Sequence, residues 1–518
     1  MSDDYFKNAE KTKTKLDKIS PTMCMAKWLQ VSMHLPQGLT QSCYHPPTHK
    51  VPLSELAVTP RALHNTHEKV RQRKEMWEGK RPEGCSYCWN IEDNGNMSDR
   101  HYRSSEDWIG ADGWKEVVDG GWDENINPRY VEVNFNQACN FKCTYCSPHL
   151  STEWEKEIKE FGPVVFNKET KHNDIASLRK AGLMPIEGAN KENPYVQAFW
   201  DWWPDLYKDL KIFRMTGGEP LMDKNTFKVL DYVNIHPNQD IELSITSNMC
   251  PPEQKLFDKF MNSLKAIEEV RIWEDPEKIN PYTENNWFVA PACKHFNLFV
   301  SVDSVGPQAE YIRTGLNYDT MLNNTRHILR ETTGTSVTFI NTFNLLSIPK
   351  LKDFLQMILD LRIEFGFKNQ PEVVVSPIDE TGKKRGPFTR KKRQRVWFDI
   401  PYLREPLWMS AQNAHYIPEL MNMLDDCVKF MEDNIAKEDY EDTYHGFLNH
   451  EVAKLKRDIS WIKNGIDKDE LSKRQVHFWK YFNTLDKRRN TNFIETFPEL
   501  SVWWKDCDAA HNSERENI

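Results

Sequence analysis

The run Cys139-Asn-Phe-Lys-Cys143-Thr-Tyr-Cys146 places three thiols within eight residues. Thiolates that close together repel one another unless a soft cation gathers them, so the spacing points to a metal centre. The number three is itself informative. A closed zinc site, or a four-iron cluster held wholly by protein, takes four ligands. Three leave one metal position open to an incoming molecule, the cluster counterpart of an open catalytic site. The alternative is zinc with a fourth ligand from elsewhere, such as His149.

A second group, Cys24, Cys43, Cys85 and Cys88, has four members. Cys24 and Cys43 bracket a predicted β-hairpin: Trp28, Val31, Met33 and Leu35 partly alternate, and Pro36-Gln37-Gly38 supplies turn residues. Cys85 and Cys88 follow Gly84, directly after a charged helical stretch at 64–80. Four thiolates make a complete coordination sphere for one metal centre, and a four-cysteine zinc knuckle is the commoner use of such spacing. His45 reads as a surface residue near the turn. Cys250, Cys293, Cys427 and Cys507 show no pattern and read as packing thiols. Seven of the eleven cysteines fall in the first 146 residues. An odd total in a chain without a secretory signal favours metal or redox chemistry over a disulfide framework.

The elements that must position these residues come next. At 518 residues and 61.1 kDa the chain exceeds one hydrophobic core. A mean hydropathy of -0.71 is polar, yet 18 Trp and 12% aromatics argue against disorder. With 68 basic and 77 acidic residues the net charge of -9 demands neither nucleic acid nor an anionic membrane. No apolar stretch is long enough for a membrane helix, and the amino terminus lacks a signal-peptide core, so a cytoplasmic protein without membrane partners is expected. From Tyr130 short strands alternate with helices. Strands are predicted at 130–135, 211–216, 241–246, 298–302, 336–341 and 372–376, with helices at 223–234, 252–265, 319–331 and 349–364. Such alternation predicts an α/β fold with a parallel sheet, and six strands suit a partial (β/α)6 TIM-like barrel better than a closed eight-stranded one. The stretch 155–200 is a helical insertion. The predicted layout is a flexible segment 1–20, a cysteine-bearing region 21–127 that ends in a Gly- and Asp-rich stretch, a barrel 128–380, and a basic loop with a helical carboxyl-terminal region 381–518.

The cysteine triplet, with the aromatic Tyr145 before its last member, resembles the signature of the radical S-adenosylmethionine (SAM) superfamily. Downstream, Thr216-Gly217-Gly218-Glu219-Pro220 at the end of a predicted strand is similar to that family's GGEP motif. Two glycines let backbone approach a ligand closely, and a carboxylate there can meet an ammonium. The resemblance implies that Gly217, Gly218 and Glu219 hold the amino group of SAM. It further implies that Ser301 and Asp303, in Ser-Val-Asp-Ser304, contact the ribose and that Arg313 grips the carboxylate. Asn248 and Asn341 close other strands, and Val375 to Ile378 would line the adenine. Ser304 departs from the family's Gly, and the insertion is longer than usual. The four-cysteine set, with Cys85-Ser-Tyr-Cys88-Trp89…Glu92…Gly95…Ser98-Asp-Arg100, resembles a "twitch"-type auxiliary iron–sulfur domain, here preceding the barrel. Leu485 to Arg489 and Phe497 to Leu500 look like the carboxyl-terminal segment of the same bacterial and phage group.

What the resemblance implies is an enzyme: Cys139, Cys143 and Cys146 holding a [4Fe–4S] cluster, S-adenosyl-L-methionine as cofactor, and a second, auxiliary [4Fe–4S] cluster on Cys24, Cys43, Cys85 and Cys88. A peptide or protein substrate is the leading expectation, with a nucleotide, nucleic acid or small molecule, or a non-catalytic zinc scaffold, as alternatives. An electron donor such as flavodoxin or ferredoxin is implied as a partner. The run Lys383 to Arg395, eight basic residues in thirteen, could grip nucleic acid or an acidic peptide but reads rather as a solvated loop, while Phe199-Trp200-Asp-Trp202-Trp203 suits a substrate stack and a packing helix equally well.

Overall fold

A computed structural model describes residues 3–186, 193–273, 287–366, 374–375, 388–389, 394–436 and 445–516. The chain is a mixed α/β protein with a large, mostly parallel sheet. It divides into two compact units, one formed by Met1–Gln137, Lys180–Asp223 and Asp240–Ile245, the other by Ala138–Arg179, Lys224–Gln239 and Thr246–Ile518. These units cross the linear boundaries expected from the sequence.

In the first unit the predicted hairpin forms. Its strands β1 (Gln30–His34) and β2 (Leu39–Gln41) are antiparallel, and β3 (His49–Lys50) extends it. The other edge is set by a partner a hundred residues away. There β1 pairs in parallel with β4 (Tyr130–Asn134), Gln30 opposite Tyr130. β4 continues in parallel to β5 (Ile212–Thr216), and β5 to β6 (Asn238–Ser247) through its Glu242–Ile245 stretch. The helix Pro194–Asp209 covers β5: Trp203 and Phe199 pack on Phe213 at ring distances of 4.9 and 6.3 Å, and Trp202 donates to Asn127 (3.1 Å). Phe199, Trp202 and Trp203 are thus core, the packing-helix alternative of the two.

The amino terminus departs from expectation. Residues expected to fray form a helix, Asp3–Asp17, that packs against the helix Asp99–Ser104. Ala9 and Leu16, two turns apart on one face and fully buried, anchor it, a stripe easily missed among its lysines. The stretch 104–127, expected to be a boundary, is also structured, with the helix Gly110–Gly120 and a buried Trp108.

The second unit holds β7 (Cys293–Ser301), β8 (Thr335–Ile340) and β9 (Val396–Asp399), parallel and in register from Phe296 opposite Thr335 and Val337 opposite Val396. Five of the expected barrel strands lie where the sequence put them; the sixth does not. Val374–Val375 forms a two-residue ribbon with Phe388–Thr389, and Val396–Asp399 takes the place beside β8. The segment Arg395-Val-Trp-Phe-Asp-Ile400 carries the in–out alternation of a half-buried strand, which the run of three valines at 373–375 lacks. Arg395, counted with the basic loop, is 2% exposed and donates to Thr335 O, Leu329 O and Thr332 Oγ1. The remainder of that run, apart from Gln394 and the Phe388–Thr389 backbone, lies outside the described residues, as do Ser376 to Ile378. Beyond β9 the chain is helical as expected, with Pro418–Asp433 burying Leu420, Leu424, Cys427 and Met431. A buried Arg362–Glu451 pair (2.7 Å) ties helix Leu351–Glu364 to helix Asn449–Lys463. Among the described residues no helix is long and apolar enough to cross a membrane.

Candidate metal centres

The three-cysteine loop lies wholly in the second unit and is held from outside by its backbone. Ser151 caps the helix Thr152–Phe161 and donates to Phe141 O (2.5 Å); Thr152 Oγ1 donates to Cys139 O (3.0 Å); Trp154 Nε1 donates to Cys143 O (2.7 Å). Lys142–Cys143 forms a short antiparallel pair with Arg313–Thr314, and Thr144 N reaches Ile312 O (2.7 Å). Neighbouring elements thus fix the loop's backbone; of its sulfurs, Cys139 Sγ accepts from Phe141 N (3.4 Å).

Around them sits a tight polar network. Asp303 is ion-paired with Arg313 (Nε at 2.8 Å) and accepts from Arg313 Nη2 (3.1 Å), from Tyr145 Oη (2.7 Å) and from Thr342 N (2.8 Å), while Asn341 Nδ2 donates to its carbonyl (2.9 Å). Arg313 also points a guanidinium N–H at Cys143 Sγ, 3.8 Å away. The guanidinium expected to grip a ligand carboxylate is therefore engaged by Asp303 and faces a thiol. Asn248 donates to Asn140 Oδ1 (2.9 Å), one residue beyond Cys139, and Ser301 ends β7. Burial pushes the Cys146 thiol up to about 12, with Cys143 adding to it. Burial likewise raises Cys143, opposed by Arg313. His149 bonds Ser147 Oγ through Nδ1 (2.8 Å).

Sequence reasoning missed part of the support. Tyr481 Oη donates to Thr144 O, Asn173 Nδ2 to Cys146 O (3.1 Å), and the buried Glu157 takes Lys142 (2.7 Å) and Arg489 (3.1 Å). Asp486 accepts from Tyr311 Oη (2.7 Å), two residues before Arg313. The carboxyl-terminal motif Leu485 to Arg489 thus braces the loop, which gives the resemblance there a physical content.

The glycine motif lies in the first unit. Gly217 has φ +126°, and a Cβ on it would come within 2.3 Å of Asn134 Oδ1 and 3.1 Å of Asn136 O, so glycine is required. Gly218 N donates to Asn136 O (3.3 Å). Glu219, 1% exposed, accepts from Leu221 N (3.0 Å).

Also in the first unit, Cys24, Cys43, Cys85 and Cys88 line one pocket with about 420 Å3 of empty space. Cys24 precedes the helix Ala26–Leu29, Cys43 follows β2, Cys85 closes the turn Glu83–Cys85, and Cys88 lies in the helix Ser86–Asp93. One clamp holds these segments: Arg100 pairs with Glu92 (2.6 and 2.9 Å) and donates to Met23 O (2.8 Å) and Pro21 O (3.0 Å), and Ser98 Oγ donates to Glu92 (2.5 Å). The Glu…Ser-x-Arg spacing read from the sequence is this clamp. Burial pushes Cys24 and Cys88 up to about 12, and the other three thiols add to the shift at Cys24. His45 is not the surface residue expected. Its side chain is 9% exposed, stacks on Tyr87 at 3.7 Å, meets Asp99 (2.6 Å) and lines the pocket. Among the described residues no group of three or more Cys, His, Asp or Glu side chains is gathered as ligands of a single ion.

No protein-family profile matches the chain. Over 138 residues, 27% of this chain and 33% of the relative, it is 27% identical to the GTP 3′,8-cyclase of Campylobacter lari. Over 159 residues, 31% and 37% of the two chains, it is 24% identical to the GTP 3′,8-cyclase of Desulforamulus reducens. The match spans about a third of the length of these curated relatives. Among solved structures, Streptococcus suis SuiB bound to S-adenosylmethionine aligns over 78% of this chain and 70% of its own, at 10% identity and a TM-score of 0.31. The similarity to the two cyclases supports the resemblance to the radical SAM superfamily.

Proposed function

We propose that this chain is a radical SAM enzyme of the twitch-bearing bacterial and phage type, built on a partial (β/α)6 barrel. The observation that carries the reading is the loop Cys139–Cys146, which presents three thiols within eight residues on a backbone pinned by Ser151, Thr152, Trp154 and Arg313. The donor set fits a [4Fe–4S] cluster with one open iron. Bound there, such a cluster would supply the electron that splits SAM into methionine and a 5′-deoxyadenosyl radical able to take hydrogen from a substrate. Arg313 offsets the negative charge gathered at Cys143, and Asp303, held by Tyr145, Thr342 and Asn341, keeps that guanidinium in place. By the resemblance, Gly217, Gly218 and Glu219 bind the SAM amino group, and Ser301, Asn248 and Asn341 complete the cofactor contacts.

The four-cysteine pocket fits an auxiliary [4Fe–4S] cluster. Thiolates select both iron–sulfur clusters and zinc, and the cluster is preferred here because of the resemblance to the twitch-type auxiliary domain. A flavodoxin- or ferredoxin-class protein of the cytoplasm is the electron donor in this reading. A peptide or protein remains the proposed substrate, by resemblance. A nucleotide is the second reading, favoured by the names of the two cyclases.

The test is 5′-deoxyadenosine formation from SAM by the anaerobically reconstituted, dithionite-reduced protein, with Cys143→Ala as control. Product from the parent and none from the variant is expected. Zinc in place of iron and sulfide, with no product, would overturn the reading in favour of a zinc scaffold.

A further inference from the structure

Behind the four-cysteine pocket stands a group of buried cations that, among the described residues, have no carboxylate as a direct partner. Lys27 lines the pocket, is 2% exposed, and its ammonium meets Gln72 Oε1 (2.6 Å), whose amide in turn reaches Glu68 (2.7 Å). Lys69 and Arg73, both 0% exposed, lie one turn apart on the helix His67–Trp77. Lys69 Nζ sits 2.7 Å from His64 Nδ1 and 3.5 Å from Gln30 O. Arg73 donates to Asn65 Oδ1 (2.7 Å) and Lys27 O (3.3 Å) and contacts His64 Nε2 (2.9 Å). The other two cations on the pocket wall differ: Arg100 has Glu92 and Arg103 has Glu106 (3.0 Å). One acid, Asp99, lines the pocket and meets His45.

Burying a charge without a counter-charge costs several kcal/mol, and such an arrangement survives where its surroundings supply the opposite sign. The thiols of the pocket are the groups able to do so. Four thiolates outweigh the positive charge of an iron–sulfur core, so a loaded centre is an anion, and reduction makes it more negative. Burial, Arg73 and Lys27 push Lys69 well below the ordinary lysine range, toward its neutral form, and Cys43 opposes them, so an anion held in the pocket would favour its charged form.

We propose that Lys27, backed by Lys69 and Arg73, is a fixed cationic wall that stabilises the reduced form of the centre held by Cys24, Cys43, Cys85 and Cys88 and so raises its reduction potential. The inference rests on the auxiliary-cluster reading above. It makes Lys27 a positioning residue for charge, not a ligand.

The experiment uses the full chain carrying Cys139→Ala, Cys143→Ala and Cys146→Ala, so that iron can be held only at the pocket. Iron, sulfide and zinc are quantified, and the centre is titrated electrochemically with paramagnetic resonance detection. Lys27→Met, Lys27→Arg and the exposed-site control Lys115→Met are compared. At fixed potential, Lys27→Met is expected to lower the reduced-to-oxidised ratio about tenfold, equivalent to 59 mV for one electron, with Lys27→Arg and Lys115→Met close to the parent. Loss of iron in Lys27→Met but not in Lys27→Arg would equally support a need for charge. Full iron with an unmoved potential in Lys27→Met, or loss of iron in both Lys27 variants, would overturn the proposal while leaving the cluster reading intact. Zinc without iron in the parent would overturn the cluster reading and the proposal together.

Discussion

The two cysteine sets solve one problem, holding repelling sulfurs close, by opposite means. Cys139, Cys143 and Cys146 come from one short loop, and the fold spends its effort on the backbone: Ser151, Thr152, Trp154 and Tyr481 take up the loop's carbonyls. Cys24, Cys43, Cys85 and Cys88 come from three separate segments, and the effort goes into gathering them, through the Arg100–Glu92 clamp and a core that includes Trp28, Trp89 and Trp108. A local loop presents its ligands whenever its flanks are folded. A gathered pocket exists only when distant pieces have met. In the proposed reading the first arrangement would leave a coordination position open, and the second would close its sphere.

That contrast can be broken most forcefully by removing one sulfur from each. Cys143→Ala should abolish SAM cleavage, a loss of at least about a thousandfold by analogy with removal of an essential catalytic group, while the iron of the four-cysteine set is retained. Cys88→Ala should do the reverse, losing that iron and keeping cleavage of SAM in the absence of substrate. Iron analysis with product chromatography checks both, and loss of all iron in either variant would show that the sets are not independent.

Next in size is Arg100→Met. It strands Glu92 and two carbonyls in a buried place, so a loss of about 3–5 kcal/mol is expected, the range for breaking a buried pair. Chemical denaturation with iron analysis should show the pocket emptied and the three-cysteine loop still loaded.

Acid should weaken both regions, since burial holds His49 and His101 of the first unit at about 4 as well. Burial, helped by His477, holds His172 at about 4, next to Asn173, which bonds Cys146 O. The folded form thus prefers a neutral imidazole. This contribution is full above about pH 6.5 and is lost as pH falls toward 4. With partial exposure allowed for, about 1–2 kcal/mol should disappear over that window. A His172→Gln variant should show a flatter stability profile there by denaturant titration.

The smallest effect is that of Tyr481→Phe. Losing one buried hydrogen bond to Thr144 should cost about 1 kcal/mol, read as a lowered unfolding midpoint. It should leave the iron of the four-cysteine set unchanged.

What could be read in advance follows the same divide. The hairpin turn and the Glu92…Ser98…Arg100 run are local patterns, and each has a structural counterpart. Contacts that depend on distant pairing were out of reach: Tyr481 with Thr144, Arg489 with Glu157, and Arg362 with Glu451 join residues far apart whose types alone name no partner. The misplaced sixth strand shows a second limit. Three consecutive valines at 373–375 outweighed the alternation of Arg395 to Ile400, and only the neighbour β8 decides between them. The amino-terminal helix shows a third, since two buried residues among many lysines define a face too thin for periodicity to find.

The parallel pairing of β1 with β4 has a consequence for how this protein can be made and divided. Gln30 meets Tyr130, a hundred positions further along the chain. A ribosome must release the whole cysteine-rich stretch and the strand after it before the inner edge of the hairpin is covered, and until then that edge is open to wrong partners. Iron delivered earlier would find sulfurs not yet assembled. Nor does a cut at 127 yield a portable cassette: a fragment ending there carries all four cysteines without the strand against which its hairpin is laid.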